Sequence, residues 1–439
     1  MIRHFDQGTL ISVLTTQPLD RTLDYKAPEG GCFEGAFVEV PLGPRKVLGV
    51  VWGEGEGGYD LAKVRSVIRV LDAVPMRDEM RTLLTRISEY TLTPMPAMLR
   101  LATRSPGLGD PPSMRRIYRR GTTDEPDRWT PARKKVVAVL DEYGGLSFTL
   151  KELADMAGVS TSVVKGLVTQ GVVAEEESPR DLPFPPLDPG RTSVDLTKEQ
   201  KAAADALIKG VRAREYGTTL LKGVTGSGKT EVYLEAVAAC LEEGRQALVL
   251  LPEIALTAEF LTRVEERFGA RPAEWHSGVT MTERRRVWRM VSENNAQLVV
   301  GARSALFLPY ADIGLIVVDE EHDTSYKQED GVLYNARDMA VLRASINKSQ
   351  VVLASATPSL ESWANVEAGK YTRLTLTTRF GEAVMPAMRA IDRRAEQLPS
   401  NRWISETLRR EITARIEAGE QSLIFLNRRG YAPVTICRA

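Results

Sequence analysis

Cysteine is scarce in this chain: Cys32, Cys240 and Cys437 stand far apart among 439 residues. That spacing excludes a disulfide framework, and none of the three can build a metal site alone. Histidine is equally scarce, with three in all. Long apolar runs are missing: none approaches the roughly 20 residues of a membrane-crossing helix. The polar start MIRHFDQGT is unlike a secretory signal. A cytoplasmic protein with no membrane partner is the expectation. Excess charge of either sign is absent as well, with 58 basic against 58 acidic residues. Any contact with nucleic acid must therefore come from local basic clusters and not from a global field. MRRIYRR (114–120) and TERRRVWRM (282–290) are the candidates, the alternative being solvated helix faces. No repeat of the solenoid kind is present.

What is there is an ordinary globular composition, 43% hydrophobic and 26% charged, in a chain long enough for roughly three domains. One segment dominates. GVTGSGKT (223–230) has the P-loop spacing of Gly223, four residues, then Gly228, Lys229 and Thr230. Its glycines, Gly226 among them, let backbone amides cradle phosphate oxygens at the mouth of a helix. Lys229 supplies a mobile positive charge to the β and γ phosphates, and the Thr230 hydroxyl can ligate Mg²⁺. Glu231 completes the candidate nucleotide contacts. Downstream, LIVVDEEH (315–322) is an apolar strand ending in acids. Asp319 suits the Mg²⁺ shell, and Glu320 is placed to orient and deprotonate the attacking water. ATP and Mg²⁺ are the implied cofactors, and Lys229, Asp319 and Glu320 the catalytic candidates.

The remainder divides by pattern. Residues 1–108 carry short β-branched runs, FVEVPLG and KVLGVVWG, punctuated by glycine and proline, which suggests a small barrel or sandwich. Residues 109–178 turn helical; TLKELADMAG and TSVVKGLVTQGVV, joined by a tight turn, fit a helix-turn-helix within a winged-helix domain. Such domains read DNA or dock proteins. Residues 179–194 form a proline-rich linker read as a stiff spacer. Across 195–385, strands such as QALVLLP, GLIVVDE and QVVLASA alternate with helical segments, which predicts a doubly wound parallel sheet, the α/β RecA-like lobe of a P-loop enzyme. Residues 386–439 hold one helix and one strand, QSLIFLN, the incomplete start of a second lobe.

The order of further motifs carries a resemblance. LLPEIALT (250–257), HSG (276–278), VGARSALFLPY (300–310), DEEHD (319–323) and SATPSLES (355–362) resemble the motif series of superfamily 2 helicases. PLDRTLDYKAPEG (18–30), VPLG (40–43) and FLNRRGYAP (425–433) extend it over essentially the whole chain to the PriA family of primosomal replication-restart helicases. The resemblance implies an ATP-dependent 3′ to 5′ DNA helicase that recognises stalled forks and promotes primosome assembly. Its implied partners are forked and single-stranded DNA with a 3′ end, primosome proteins, single-stranded DNA-binding protein and the replicative helicase loader.

Residue by residue, the resemblance makes Gln200 the adenine contact; Thr197 beside it is alternatively just a helix cap. Ser355 and Thr357 couple hydrolysis to DNA, and His322 relays between the two sites or holds its loop. Arg303 and Ser304 give phosphate donors. Tyr326 and Lys327, with Tyr334, Arg337 and Asp338, form an aromatic, basic loop that senses single-stranded DNA by sequence-tolerant stacking; Val332 and Leu333 stand where some relatives have an aromatic residue. Asp24 accepts a hydrogen bond from the terminal 3′ hydroxyl, or is a plain turn acid. Leu23 and Tyr25 flank the base and Gly43 lets the backbone come close. Family members continue through zinc-binding cysteine clusters and a second lobe with an arginine finger. Cys437 matches the first zinc ligand, so zinc is expected only in a full-length form. This chain alone is expected to bind nucleotide weakly and hydrolyse near background, the alternative function being a non-catalytic fork-binding module.

Overall fold

The computed structural model describes residues 3–425 apart from 253–257, 380–386, 397–403 and positions 20, 59, 61, 106, 111–113, 124, 145, 180, 193, 393 and 395. Residues 1–380 and 381–439 make two separate units. Among the described residues no helix is long and apolar enough to cross a membrane.

The first β-branched runs pair as one antiparallel sheet in the order Leu23–Lys26, Leu10–Thr15, Arg45–Glu54, Phe37–Leu42, Arg69–Val70. Its edges meet: Lys26 N–H donates to Arg65 O at 3.0 Å, and Val67 N–H donates to Lys26 O at 3.0 Å. The sheet thus closes as a small barrel. Period-two alternation gives it two apolar faces. Ile11, Val13, Val38 and Val51 fill the interior. Leu14, Phe37 and Val50 pack outward on helices Asp78–Thr91 and Met95–Ala102, in a core continuous with Trp288 and Met339 of the large α/β region. Trp288 is the rivet: its ring meets Phe37 edge-on at 5.6 Å, and its Nε1–H donates to Ala102 O at 3.1 Å.

Three helices follow, Pro131–Glu142, Leu150–Ala157 and Thr161–Thr169, around Val136, Leu140, Leu153, Val164 and Leu167. The turn between the last two begins at Gly158, whose φ of 59° favours glycine. An antiparallel pair, Met114–Arg120 with Val173–Pro179, completes this module. The first basic run, a candidate DNA contact or solvated helix face, is a strand instead, and the pairing sets its arginines against acids of the partner strand. Arg116 lies 2.9 Å from Glu175, Arg119 pairs with Glu176, and Arg120 lies 3.0 Å from Asp141.

The proline-rich segment is no free spacer either. Arg285 holds the buried Asp181 at 3.1 Å, while Arg286 donates to Leu182 O at 2.7 Å and stacks on Phe184 at 4.1 Å. Farther along, Leu187 N–H donates to Gln297 Oε1 at 3.1 Å. These arginines belong to the second basic run, on helix Met281–Ser292. Its apolar positions Val287, Trp288 and Val291 face the core, leaving the arginines to grip the strap.

The α/β region is a seven-stranded, all-parallel sheet in the order Ala273–Trp275, Leu298–Gly301, Gln246–Leu250, Ile313–Asp319, Gln350–Ser355, Gly217–Gly223, Thr372–Leu376. Continuous apolar strands such as QALVL are buried on both faces, as parallel sheets require. Helices Lys198–Ala213, Lys229–Glu242 and Ala258–Phe268 cover one face, and Met281–Ser292 with Ala336–Asn347 the other.

The second unit, by itself, holds helix Glu406–Glu417, capped by Ser405 Oγ accepting from Leu408 N–H at 3.2 Å. The strand expected in QSLIFLN is not formed over its described residues 421–425. A lone extended segment has no ladder to join.

Trp288→Ala removes a ring and a buried donor at once. It is expected to cost about 3–5 kcal/mol, read as a lower urea midpoint. Leu360→Ala, at a site 84% exposed, should stay within about 0.5 kcal/mol of wild type.

Candidate functional site

The strand order gathers the motifs. Gln350–Ser355 lies between the P-loop strand and the acid strand, pairing Ser355 with Lys222 and Ala354 with Asp319. The P-loop, the acids and the SAT segment therefore emerge side by side at the carboxyl ends of adjacent strands, where doubly wound sheets bind ligands.

At the P-loop, helix Lys229–Glu242 starts from Gly228 at φ 75°. A β-carbon there would sit 2.4 Å from Gln200 Nε2, and one on Gly223 would sit 2.4 Å from Ser227 Oγ. Lys229 Nζ donates to Gly223 O at 3.0 Å, and Ser227 Oγ is buried with no partner among the described residues. An ammonium with unused donors, an orphaned hydroxyl and a helix N-terminus fit a polyphosphate. The Thr230 hydroxyl and the Asp319 carboxylate are hard oxygen donors that fit Mg²⁺.

Both oxygens of Asp319 are engaged: Oδ2 accepts from the Tyr233 hydroxyl at 2.8 Å and Oδ1 from Glu320 N–H at 3.0 Å. Burial pushes its carboxyl above the ordinary value, against the Tyr233 hydrogen bond. Glu320 adopts φ 46°, a left-handed conformation that strains a side-chain-bearing residue and clusters at functional sites. Its Oε2 lies 3.5 Å from His322 Nδ1, which is 2.8 Å from Ser355 Oγ, which accepts from Thr357 N–H at 3.0 Å. A contiguous polar chain thus joins the acid pair to the SAT segment.

Gln200 is both cap partner and P-loop contact. Thr197 caps the helix, donating its N–H to Gln200 Oε1 at 2.8 Å, while Gln200 Nε2 donates to Ser227 O at 2.9 Å. Glu231 turns elsewhere: its carboxylate lies 3.8 Å from Arg263 of the neighbouring helix. Two acids escaped the sequence reading. Glu199 accepts from the N–H and hydroxyl groups of Thr377 and Thr378, the residues leaving the last strand. Glu321, fully buried, accepts from Arg337 at 3.3 Å, Ser359 N–H at 2.7 Å, Ser359 Oγ at 2.9 Å and Ser362 Oγ at 2.8 Å. A third consecutive acid after an apolar strand was the available signal for Glu321.

Several expected DNA contacts sit differently. Tyr326 is not an exposed stacking ring: it is 1% exposed, with its hydroxyl 2.9 Å from Leu250 O and 2.6 Å from Asp319 O. Tyr334 is buried against Phe307, and Arg337 belongs to the Glu321 network. Lys327 and Leu333 are exposed. Arg303 donates to Ser325 O at 2.9 Å and Lys327 O at 3.1 Å, holding the loop. Ser304 Oγ accepts from Trp275 Nε1 at 3.2 Å. In the barrel, Leu23 and Tyr25 share the core face, Tyr25 donating to Pro41 O at 3.1 Å. The adjacent Asp24 faces the other way and accepts from Gly57 N–H at 2.9 Å. Gly43, at φ 58°, forms the hairpin turn, with open space where a β-carbon would stand. Cys437, 253–257 of LLPEIALT and 426–433 of FLNRRGYAP lie outside the described residues.

Glu321→Ala takes from the buried Arg337 guanidinium and from the Ser359 and Ser362 hydroxyls the buried carboxylate that they share, with Asp338 still 2.8 Å from Arg337. The expected loss is about 3–5 kcal/mol, measured by urea unfolding.

Two families match the chain by sequence: the DEAD/DEAH box helicase over residues 197–366, and the 3′ DNA-binding domain of PriA over residues 12–104. Among curated relatives, the replication restart protein PriA of Bacillus subtilis is 33% identical over 97% of this chain and 62% of its own length. PriA of Chlamydia pneumoniae is 33% identical over 97% of this chain and 59% of its own. PriA of Rickettsia felis is 46% identical over 56% of this chain and 37% of its own. The chain therefore spans between 37 and 62% of the length of these relatives. With the helicase motifs gathered on one edge of a parallel sheet and a 3′ DNA-binding domain before them, the chain belongs to the PriA family of replication restart proteins.

Proposed function

We propose that the chain acts in the cytoplasm as the ATP- and fork-binding part of a 3′ to 5′ DNA helicase that restarts replication and promotes primosome assembly. The observation that carries the reading is the convergence of Lys229, Asp319 and Glu320 beside Ser355. In this reading the P-loop amides and Lys229 hold the phosphates of ATP. Thr230 and Asp319 hold Mg²⁺, which supplies charge neutralisation when bound, and Glu320 takes a proton from the attacking water. Gln200, fixed against the P-loop, reads the adenine.

The barrel takes the 3′ end of a nascent strand. Asp24 is directed away from the core and keeps lone pairs beyond its bond to Gly57, so it accepts from a 3′ hydroxyl and repels a 3′ phosphate. Residues 109–178 serve as a winged-helix module, with most of their strand arginines neutralised, which favours docking on proteins of the primosome, single-stranded DNA-binding protein or the helicase loader over direct reading of DNA.

A forked DNA with a free leading-strand 3′ hydroxyl is expected to bind more tightly than the same fork ending in a 3′ phosphate, and Asp24→Asn to narrow that difference. Lys229→Ala is expected to weaken MgATP binding at least about tenfold. DNA-stimulated hydrolysis lost in Lys229→Ala assigns turnover to this stretch of chain. Fork binding with no MgATP binding leaves recognition alone as its function.

A further inference from the structure

Tyr233 is fully buried, yet it carries a hydroxyl that the hydrolysis scheme does not use. It lies on the helix that starts at the P-loop, three residues beyond Thr230 and four beyond Lys229, the spacing that puts side chains on one helix face. Its O–H donates to Asp319 Oδ2 at 2.8 Å, across to the end of the acid strand. One phenol on the helix that carries Thr230 therefore holds the carboxylate whose oxygens suit Mg²⁺.

We propose that Tyr233 is a positioning residue for the metal: its hydroxyl fixes the Asp319 carboxylate in the arrangement that receives Mg²⁺ with nucleotide. The inference rests on the nucleotide-binding reading above.

Three points of chemistry support it. First, the direction of donation is right. Tyr233 gives its proton to Asp319 Oδ2, and that oxygen keeps a further lone pair for a cation. Second, the donor is neutral. A phenol carries no charge near neutral pH. A lysine or arginine at this place would orient the carboxylate but cancel the charge that attracts Mg²⁺. Third, the carboxylate is held from both sides, with Glu320 N–H on Oδ1 at 3.0 Å and Tyr233 on Oδ2, so its rotamer is set before any ligand arrives. A second tyrosine completes the frame: the Tyr326 hydroxyl anchors the backbone carbonyl of Asp319, so ring and backbone are held separately.

Tyr233→Phe keeps the ring and removes only the donor. In the 439-residue chain, binding of a fluorescent ATP analogue would be followed as Mg²⁺ is added, with Mn²⁺ uptake in the presence of nucleotide read by electron paramagnetic resonance. The Mg²⁺ half-saturation should rise about tenfold or more, as for outer partners of metal ligands, with nucleotide affinity in excess chelator unchanged. In an Asp319→Asn background, adding Tyr233→Phe should change the Mg²⁺ dependence no further. Tyr233→4-aminophenylalanine, which restores a donor, should bring it back toward wild type. If Tyr233→Phe does not fold, Tyr233→4-fluorophenylalanine fills the hydroxyl's space without donating and carries the same test. A folded, donorless variant with wild-type Mg²⁺ half-saturation overturns the proposal. A wild-type chain that takes up no Mg²⁺ with nucleotide overturns the nucleotide-binding reading itself, and this inference with it.

Discussion

A carboxylate partly withdrawn from water at the end of an apolar strand is the constraint around which this molecule is arranged. Ionised and unpaired, Asp319 would be costly to bury. Its surroundings answer that cost with the Tyr233 hydroxyl, the Glu320 amide and an ammonium nearby on Lys229. Those partners come from the P-loop helix, from the adjacent acid and from the P-loop itself, so the candidate site is formed only when the parallel strands are in register. The left-handed Glu320 marks where the same demand bends the chain. Beyond it, His322 and Ser355 continue the polar contacts onto the neighbouring strand.

Arginine does much of the remaining architectural work: in a chain with zero net charge, arginines of both basic runs are paired or hydrogen-bonded within the fold. Arg285 and Arg286 strap the proline-rich segment to the sheet region, and Arg119 zips the strand pair before it. Arg267 joins in from Ala258–Phe268, holding Glu235 at 2.9 Å. Buried Arg343 donates to Leu308 O at 3.0 Å, and desolvation lowers its guanidinium to about 10. The planar fork of arginine suits such multi-acceptor clamps better than an ammonium does. The barrel is attached by apolar means instead, through Phe37, Trp288 and the N-terminal helices.

The P-loop, the acid strand and the alternation of apolar strands with helices were legible because each is a local pattern. Glycines at fixed spacing have one backbone consequence, and QALVL or IGLIVVD can be stable only inside a sheet covered on both faces. The turn at Gly158 and the cap at Thr197 were legible for the same reason. The placements of Leu23, Tyr25 and Tyr326 were not. An aromatic residue in a polar loop reads as exposed until the carbonyls it reaches are known, and those of Leu250 and Asp319 lie on different strands. Alternation could have separated Asp24 from its two neighbours, since adjacent strand residues face opposite sides.

Local spacing along the chain by itself determined the chemistry on offer: a phosphate cradle at 223–230, acids at 319–321 and a hydroxyl segment at 355–357. Backbone conformation and side-chain type are short-range properties. Tertiary structure alone decided which groups meet, because hydrogen bonds act across a few ångströms and not along the sequence. Tyr233 became the partner of an aspartate 86 residues away, and arginines that suggested DNA became the staples of the fold.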